Sequence, residues 1–358
     1  MAFVSTIIFI FVCFSFFIGQ IFRLNLFGFN FPLIDIAIVI FCLFNLFFHF
    51  KNHTLKIKNK FLVYFLIYSW LLLGLTLFKF QIYSLKPIFY LIRLTCLIFL
   101  FIFPPIISQK LKNLFYLSII ANIIFGLIQY FIWPDFTYFN IDNWDPHLYR
   151  LISTYFDPTF TGLIYLFFLI KVFLDKKMPY RWPILIITYI PLVLTYSRST
   201  LLSLIFAFTY IAWKNKKISI FLSTLLLVIL TIFSLPRQPG EGTKLERTSS
   251  IRAKIENYHE GISLFIQHPI FGIGYNNISY FKKTTNEMSH ANNGFDGSLL
   301  TIFITSGFIG GILFILGFKK IFIKSNITLQ SCFIATIIHS LFANSLLYPW
   351  VLLGLIIL

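Results

Sequence analysis

Long apolar stretches separated by short polar segments run along most of the chain. Most of these stretches approach the ~20 residues that an α-helix needs to cross a bilayer. The pattern predicts an all-α, polytopic membrane helix bundle of about twelve transmembrane helices. It forms one integral domain over residues 1–358, and the first stretch is retained as a helix instead of being removed as a signal. The stretches cover residues 2–20, 33–50, 61–78, 88–108, 113–133, 158–174, 183–196, 199–213, 218–235, 298–318, 327–342 and 346–358, of which the last is the shortest.

Two polar segments are longer than the other connectors. The first covers residues 134–157, and the second, 236–297, is long for a loop in a compact bundle. Apolar residues recur at helical spacing inside the second segment, at Ile251, Ile255, Tyr258, Ile262 and Phe265. This spacing predicts an amphipathic helix over Ser249–Gln267, which Pro269 ends.

The composition agrees with a membrane protein. Hydrophobic residues make up 58% of the 358 residues and charged residues only 11%, which is too apolar for a soluble domain of this size. The four cysteines show neither zinc-site nor redox spacing, and we expect them to pack as small hydrophobic side chains. They are Cys13, Cys42, Cys96 and Cys332.

The net charge of +17 would suggest nucleic-acid binding in a soluble protein, but the basic residues are concentrated between apolar stretches. With a cytoplasmic N-terminus, the internal connectors carry sixteen Lys and Arg residues and the short external connectors carry five. Membrane proteins show this positive-inside distribution. It predicts a multi-pass protein in a membrane, with both termini cytoplasmic, residues 134–157 and 236–297 external, lipid as a neighbour and no nucleic-acid partner.

The candidate chemistry lies on the predicted external side. The sequence has no carboxylate pair, no His/Cys cluster and no phosphate-binding GxxxxGK[ST] string, so we expect neither a metal nor a cofactor. Arginine forks match phosphate oxygens with two parallel hydrogen bonds. The arginines on the external side therefore predict a positively charged site that binds the diphosphate group of a lipid. The candidates are Arg93, Arg150, Arg198, Arg247 and Arg252.

Each arginine also has a structural interpretation. Arg93, about six residues inside its predicted helix, and Arg198, in the short turn of the TYSRS string, could instead reach outward to lipid headgroups. Arg247 and Arg252 could be solvated loop charges, although few acidic residues stand near them.

His290 is the candidate for proton transfer, because a neutral imidazole can accept a proton from an incoming hydroxyl group at pH 7. It stands in the string SHANNGF, where amides such as that of Asn292 can orient a sugar; the alternative is a loop histidine without a role. His339 lies within an apolar stretch and is expected to be a core histidine bonded to a neighbouring helix. The GIGYNN string at 272–277 indicates a tight turn, and Asp157 is placed to cap a helix starting at Pro158.

Four strings, taken together and in order, resemble the O-antigen ligase and polymerase superfamily of bacterial membrane glycosyltransferases. They are RLISTYFDPTFTG from Arg150, LTYSRSTLLSL from Leu194, the Arg247 to Arg252 segment followed by HPIFGIGYNNI, and SHANNGFDGSLL from Ser289. The resemblance covers residues 150–318. Two departures stand out. Ala291 separates the histidine from Asn292, whereas the family often has Asn directly after it, and Tyr258 replaces an aromatic that is usually Trp.

The resemblance implies a metal-independent glycosyltransferase that acts at the outer face of the bacterial cytoplasmic membrane, in surface polysaccharide biosynthesis. Its donor would be an undecaprenyl-diphosphate-linked oligosaccharide, and its acceptor a hydroxyl group of a glycan or glycolipid. Arg198, Arg247 and Arg252 would hold the diphosphate and His290 would activate the acceptor, with inversion at the anomeric carbon. Arg150 would help to bind the donor or the acceptor.

Two other classes remain open at this point. A flippase for lipid-linked oligosaccharides, or another multi-span transporter, would also have an apolar bundle, but carriers usually place ionisable residues near the bilayer midplane. The sequence offers few such residues beyond Arg93, His339 and Asp35, which lies near the end of its stretch. A non-catalytic scaffold would tolerate replacement of the external arginines.

Overall fold

The computed structural model describes residues 2–26, 29–80, 85–135, 147–236, 238–282 and 294–358. Within these ranges the chain forms thirteen α-helices, α1 to α13. In chain order they are Ala2–Ile18, Leu33–Lys51, Lys60–Lys79, Lys86–Ile102, Gln109–Ile132, Pro158–Leu174, Arg181–Leu194, Arg198–Asn215, Ile218–Ser234, Ser249–Gln267, Ser298–Lys324, Ile327–His339 and Pro349–Ile357.

The apolar helices support a membrane bundle. Four of them, α2, α3, α5 and α11, are long and apolar enough to cross a membrane, and several of the others are shorter apolar helices. Each predicted apolar stretch corresponds to one helix. The amphipathic helix predicted at Ser249–Gln267 is present as α10 with those bounds. It is followed by Pro269, which cannot continue a helix because it lacks a backbone N–H.

A short β-hairpin between α1 and α2 adds a feature that the sequence did not predict to the α-helical architecture. Strand β1, Arg23–Leu26, pairs antiparallel with strand β2, Phe29–Pro32, and Arg23 lies opposite Pro32. The sequence prediction treated these residues as a connector because the segment is too short to show a clear alternation. The hairpin lies at the end of the bundle where α1 ends and α2 begins.

Helix α6 lies inside the bundle, with twelve of its seventeen residues buried. It packs against α7, α8 and α12. Its start is fixed as predicted: the Asp157 carboxylate accepts hydrogen bonds from the backbone N–H groups of Thr159, at 2.7 Å, and Phe160, at 3.3 Å. The four cysteines are buried and unpaired, which confirms their prediction as packing residues.

Helix α11 is interrupted at Gly307, where the backbone adopts φ 62° and ψ −170°. The segment that follows α10 fills the interruption. Ile273 N–H donates to the Ile304 carbonyl at 3.0 Å, and Phe308 N–H donates to the Pro269 carbonyl at 2.8 Å. Backbone groups freed inside a bilayer must find such partners within the protein. Residues 269–274 therefore complete the hydrogen bonding of α11.

Candidate functional site

An open cavity of about 1280 Å³ lies at one end of the bundle. Its walls come from the starts of α6 and α8, the loop between α9 and α10, one face of α10, and the turn between α12 and α13. These segments belong to different parts of the sequence. The cavity is larger than the usual range for small-molecule sites, about 300–1000 Å³. It can therefore hold a ligand larger than a single sugar.

The cavity wall combines positive charge with apolar surface. Four cationic side chains line it, those of Arg150, Arg198, Arg247 and Lys254, and the carboxylate of Asp296 is the acidic group that the described residues contribute. Apolar side chains complete the wall, among them Leu148, Leu202, Ile255, Ile262, Leu341 and Phe342. A ligand with an anionic group on an apolar chain fits this wall, because its charge contacts the cationic side chains and its chain contacts the apolar ones.

Arg198 fastens the loop between α9 and α10 to the bundle. It is the first residue of α8, and Ser197 before it caps that helix. Its Nη1 donates to the carbonyl oxygens of Leu245, at 3.1 Å, and Arg247, at 2.9 Å, and its Nη2 donates to Ser250 Oγ at 2.6 Å. The guanidinium group therefore fixes the loop that forms one wall of the cavity.

Arg150 and Arg247 both lie close to Gly242 in the loop between α9 and α10. Arg150 is buried, and its Nε donates to the Thr195 carbonyl at 2.9 Å. Arg247 Nη1 donates to the Gly242 carbonyl at 2.6 Å. A Cβ atom on Gly242 would come within 2.7 Å of Arg150 Cδ, so the glycine leaves room for the arginine stem. The structure therefore brings Arg150, Arg198 and Arg247 to one cavity.

Helix α10 forms the cavity roof and is held across the opening by three polar contacts of two side chains, Lys254 and Tyr258. Lys254 Nζ donates to the Phe342 carbonyl at 2.6 Å and forms an ion pair with Asp296 at 3.4 Å. The Tyr258 hydroxyl donates to the Leu341 carbonyl at 2.5 Å. Burial, followed by the charge of Asp296, raises the pKa of Tyr258, so this tyrosine stays neutral.

Arg252 lies at the rim of the cavity and not in its wall. Its side chain is exposed, whereas its neighbours on α10, Ser249, Ile251 and Ile255, line the cavity. The structure therefore places Arg252 beside the other arginines without bringing its guanidinium group into the same hydrogen-bonded set.

Arg93 lies outside the cavity, so the structure does not bring it together with the other candidate arginines. Its Nη1 lies 3.2 Å from both carboxylate oxygens of Asp35 on α2, and its guanidinium carbon lies 4.5 Å from the ring centre of Tyr90. The two charged side chains are 15% and 13% exposed. Single-sequence reasoning missed this pair because it does not show which helices are neighbours.

Three further predictions have different outcomes. His290 and Asn292 lie outside the described residues. His339 is a buried histidine bonded to a neighbouring helix, as predicted, through Ser199 Oγ at 3.1 Å from its Nε2. In the GIGYNN string, Gly272 and Gly274 have positive φ values of 76° and 86°, which agrees with a turn.

Several cavity residues were not found from the sequence. Lys254 was not predicted because the sequence analysis considered arginine side chains as phosphate ligands. Its position on the same face of α10 as Ile255 and Ile262 could have indicated that it lines the cavity. Ser199 and Thr159 enter the wall through their positions at the starts of α8 and α6. In the part of the chain that the structure describes, no group of three His, Cys, Asp or Glu side chains is placed to hold a metal ion.

The fold and the cavity define a class of protein: a membrane helix bundle with an open, cationic and partly apolar cleft at one end. Residues 183–315 match the family described as O-antigen ligase, so the chain contains an O-antigen ligase domain. This family consists of membrane enzymes that transfer glycans, and the domain indicates a part in surface polysaccharide biosynthesis. The matched region runs from α7 into α11 and includes Arg198, Arg247 and Lys254. No curated protein matches the chain.

Proposed function

We propose that the chain is an O-antigen ligase-like or polymerase-like glycosyltransferase. It moves an undecaprenyl-diphosphate-linked glycan to an acceptor hydroxyl group at the outer face of the bacterial cytoplasmic membrane. The observation that carries the proposal is the cavity, in which four cationic side chains face an apolar wall; three of them, those of Arg198, Arg247 and Lys254, belong to the region that matches the O-antigen ligase family. Twelve helices, all except α10, cross the membrane, and both termini are cytoplasmic.

The cationic side chains bind the diphosphate of the donor. Lys254 and the guanidinium groups of Arg150, Arg198 and Arg247 offer charge-assisted hydrogen bonds to phosphate oxygens, and Arg252 reaches the same group from the rim. The apolar wall accommodates the start of the polyprenyl chain. Charge on the diphosphate increases as it leaves, so fixed positive groups stabilise the transition state more than the ground state.

Transfer is a single displacement that inverts the anomeric carbon. The acceptor hydroxyl oxygen forms a bond to this carbon while the bond from the carbon to the diphosphate oxygen breaks. His290 takes the acceptor proton, and undecaprenyl diphosphate leaves with the bonding electron pair. Asn292 orients the sugar. Asp296, which follows His290 by six positions in the sequence, lines the cavity and supports placing this chemistry there. No metal takes part in these steps.

The test is a transfer assay with purified protein, donor lipid extracted from the source bacterium, and candidate glycan and glycolipid acceptors. We expect His290→Ala to abolish the glycosylated product while the variant keeps its expression and thermal stability. His53→Ala is the matched control, because His53 lies in the connector at the opposite end of the bundle. Full activity of His290→Ala would remove this histidine from the mechanism.

A second measurement separates transfer from transport. Protein in liposomes should release undecaprenyl diphosphate when an acceptor is supplied and should not move intact donor across the bilayer. Movement of intact donor without any product would identify a flippase and overturn the proposed reaction.

A further inference from the structure

A buried histidine lies directly behind the cavity wall. His339 is the last residue of α12 and has no solvent exposure. Its Nε2 lies 3.1 Å from Ser199 Oγ on α8, and its Nδ1 lies 2.6 Å from Ser345 Oγ in the turn before α13. Ser199 lines the cavity beside Arg198. A chain of polar groups therefore leads from the interior of the bundle to the cavity surface.

The hydrogen-bond directions along this chain are constrained. A neutral imidazole has one N–H donor and one acceptor nitrogen. When Ser345 donates to Nδ1, Nε2 carries the proton and donates to Ser199. On the other side, Ser197 Oγ lies 3.0 Å from Ser199 Oγ and already accepts from Thr200, whose N–H is at 3.3 Å and whose Oγ1 is at 2.9 Å. The Ser197 proton is therefore available for Ser199.

We infer that His339 and Ser197 orient the Ser199 hydroxyl group so that it donates to an anionic phosphate oxygen in the cavity. With both neighbours donating to Ser199 Oγ, its proton points to the side that remains open, which is the cavity. Ser199 is the second residue of α8, where the helix dipole also favours a negative group. His339 is a positioning residue in this arrangement, and Ser199 is the group that contacts the ligand.

This inference rests on the proposed diphosphate site and extends it. The arginines that line the cavity use part of their donors to hold the loop, as Arg198 does with Leu245, Arg247 and Ser250. A neutral donor beside Arg198 adds a further contact to the phosphate. It also restricts the position of the phosphate to the start of α8.

The experiment measures binding of undecaprenyl diphosphate and of uncharged undecaprenol to the full chain in detergent. Ser199→Ala should weaken binding of the diphosphate about tenfold, the effect of losing one hydrogen bond to a charged group. Its binding of undecaprenol should not change. Ser203→Ala is the matched control, because the Ser203 hydroxyl donates to the Ser199 carbonyl and not into the cavity.

Variants of His339 test the positioning role. His339→Gln keeps a donor at the position of Nε2 and should bind the diphosphate nearly as well as the unchanged protein, whereas His339→Leu should match Ser199→Ala. The double variant Ser199→Ala with His339→Leu should be no weaker than Ser199→Ala alone, because both changes remove the same contact.

The possible failures are distinguishable. If the unchanged protein binds undecaprenyl diphosphate no better than undecaprenol, the proposed diphosphate site is wrong. If it prefers the diphosphate and Ser199→Ala shows the same preference, the role of Ser199 is wrong and the diphosphate site stands. If His339→Leu fails to fold, Ser199→Ala and His339→Gln still test the role of His339. A tenfold loss of diphosphate binding in His339→Gln would overturn the positioning role.

Discussion

The ion pair between Arg93 and Asp35 joins α4 to α2 across 58 positions of the sequence. Both side chains are shielded, and Arg93 also packs against the ring of Tyr90. A charge inside a membrane bundle is expensive unless it has a partner. The pair therefore holds α4 and α2 together inside the bundle.

Removing one partner of this pair should destabilise the protein more than removing both. We expect Asp35→Asn to cost about 3–5 kcal/mol, because it leaves the Arg93 charge buried without compensation. The double variant Asp35→Asn with Arg93→Met should regain most of that loss. Thermal unfolding in detergent measures both effects. A double variant as unstable as Asp35→Asn would contradict this account.

Arg198 acts on the cavity through the loop that it holds. Arg198 reaches Leu245 and Arg247 with Nη1 and Ser250 with Nη2, and the single nitrogen of a lysine side chain cannot reproduce this two-nitrogen fork. We expect Arg198→Lys to lower glycan transfer by about tenfold or more. The same change should expose residues 238–248 to proteolysis.

The matched control for that variant is Arg181→Lys. Arg181 also bonds to backbone carbonyls, those of Val172 and Phe173, but at the start of α7 and away from the cavity. It should lower thermal stability and leave the affinity for the donor unchanged. Equal loss of transfer in both variants would show that Arg198 has only a general structural role.

Among the elements, the interrupted helix α11 and the segment that completes it depend on glycine. Gly272 has φ 76°, and a Cβ atom there would lie 2.6 Å from Gly307 N and 2.6 Å from the Ile304 carbonyl oxygen. A Cβ on Gly307 would overlap the Ile270 carbonyl group. These contacts explain why glycine stands at both positions, and no phosphate-binding role is needed to account for them.

Gly272→Ala should destabilise the protein by about 2 kcal/mol or more, from the positive φ value and from the close contacts. Gly74→Ala provides the control, because Gly74 lies inside α3 and a Cβ atom there meets nothing within 4 Å. That change should be neutral or stabilising by up to about 1 kcal/mol. Melting temperatures measured in detergent compare the stability of the two variants. Equal values would show that residues 269–274 do not support α11.

Helices were easier to predict than the contacts between them. The bounds of α10 follow from its apolar period and from Pro269, and Asp157 with Pro158 marks the start of α6. The β1 and β2 strands are too short to leave a periodic signal in the sequence. The break at Gly307 depends on partners that are distant in the chain. Local pattern decides where a helix forms, whereas packing decides where it breaks.

At the scale of the whole molecule, the cavity assembles segments that are far apart in the chain. The sequence motifs indicated Arg150, Arg198 and Arg247, and they line one cavity. Lys254 and the Ser199–His339 pair were not predicted as site residues, because their importance comes from α8, α10 and α12 meeting at one end of the bundle. A motif shows the chemistry of a residue but not its neighbours in space.

The proposed orientation can be tested by cysteine accessibility. The four native cysteines are buried, so they should react poorly with a membrane-impermeant maleimide. We expect Glu256→Cys, on the exposed side of α10, to be labelled in intact spheroplasts. Lys58→Cys, exposed in the connector before α3, should be labelled only after the membrane is permeabilised. Labelling of Lys58→Cys in intact spheroplasts would reverse the orientation.

The open cavity has a consequence for the length of the product. At about 1280 Å³ it can enclose the reacting ends of two substrates but not an extended polymer. The roof helix is bonded on both flanks, through Ser250 to Arg198 and through Lys254 to the turn before α13. In the proposed reaction a long glycan therefore extends beyond the cavity that the described residues form, and we expect chain length to be set by substrate supply or by a separate protein.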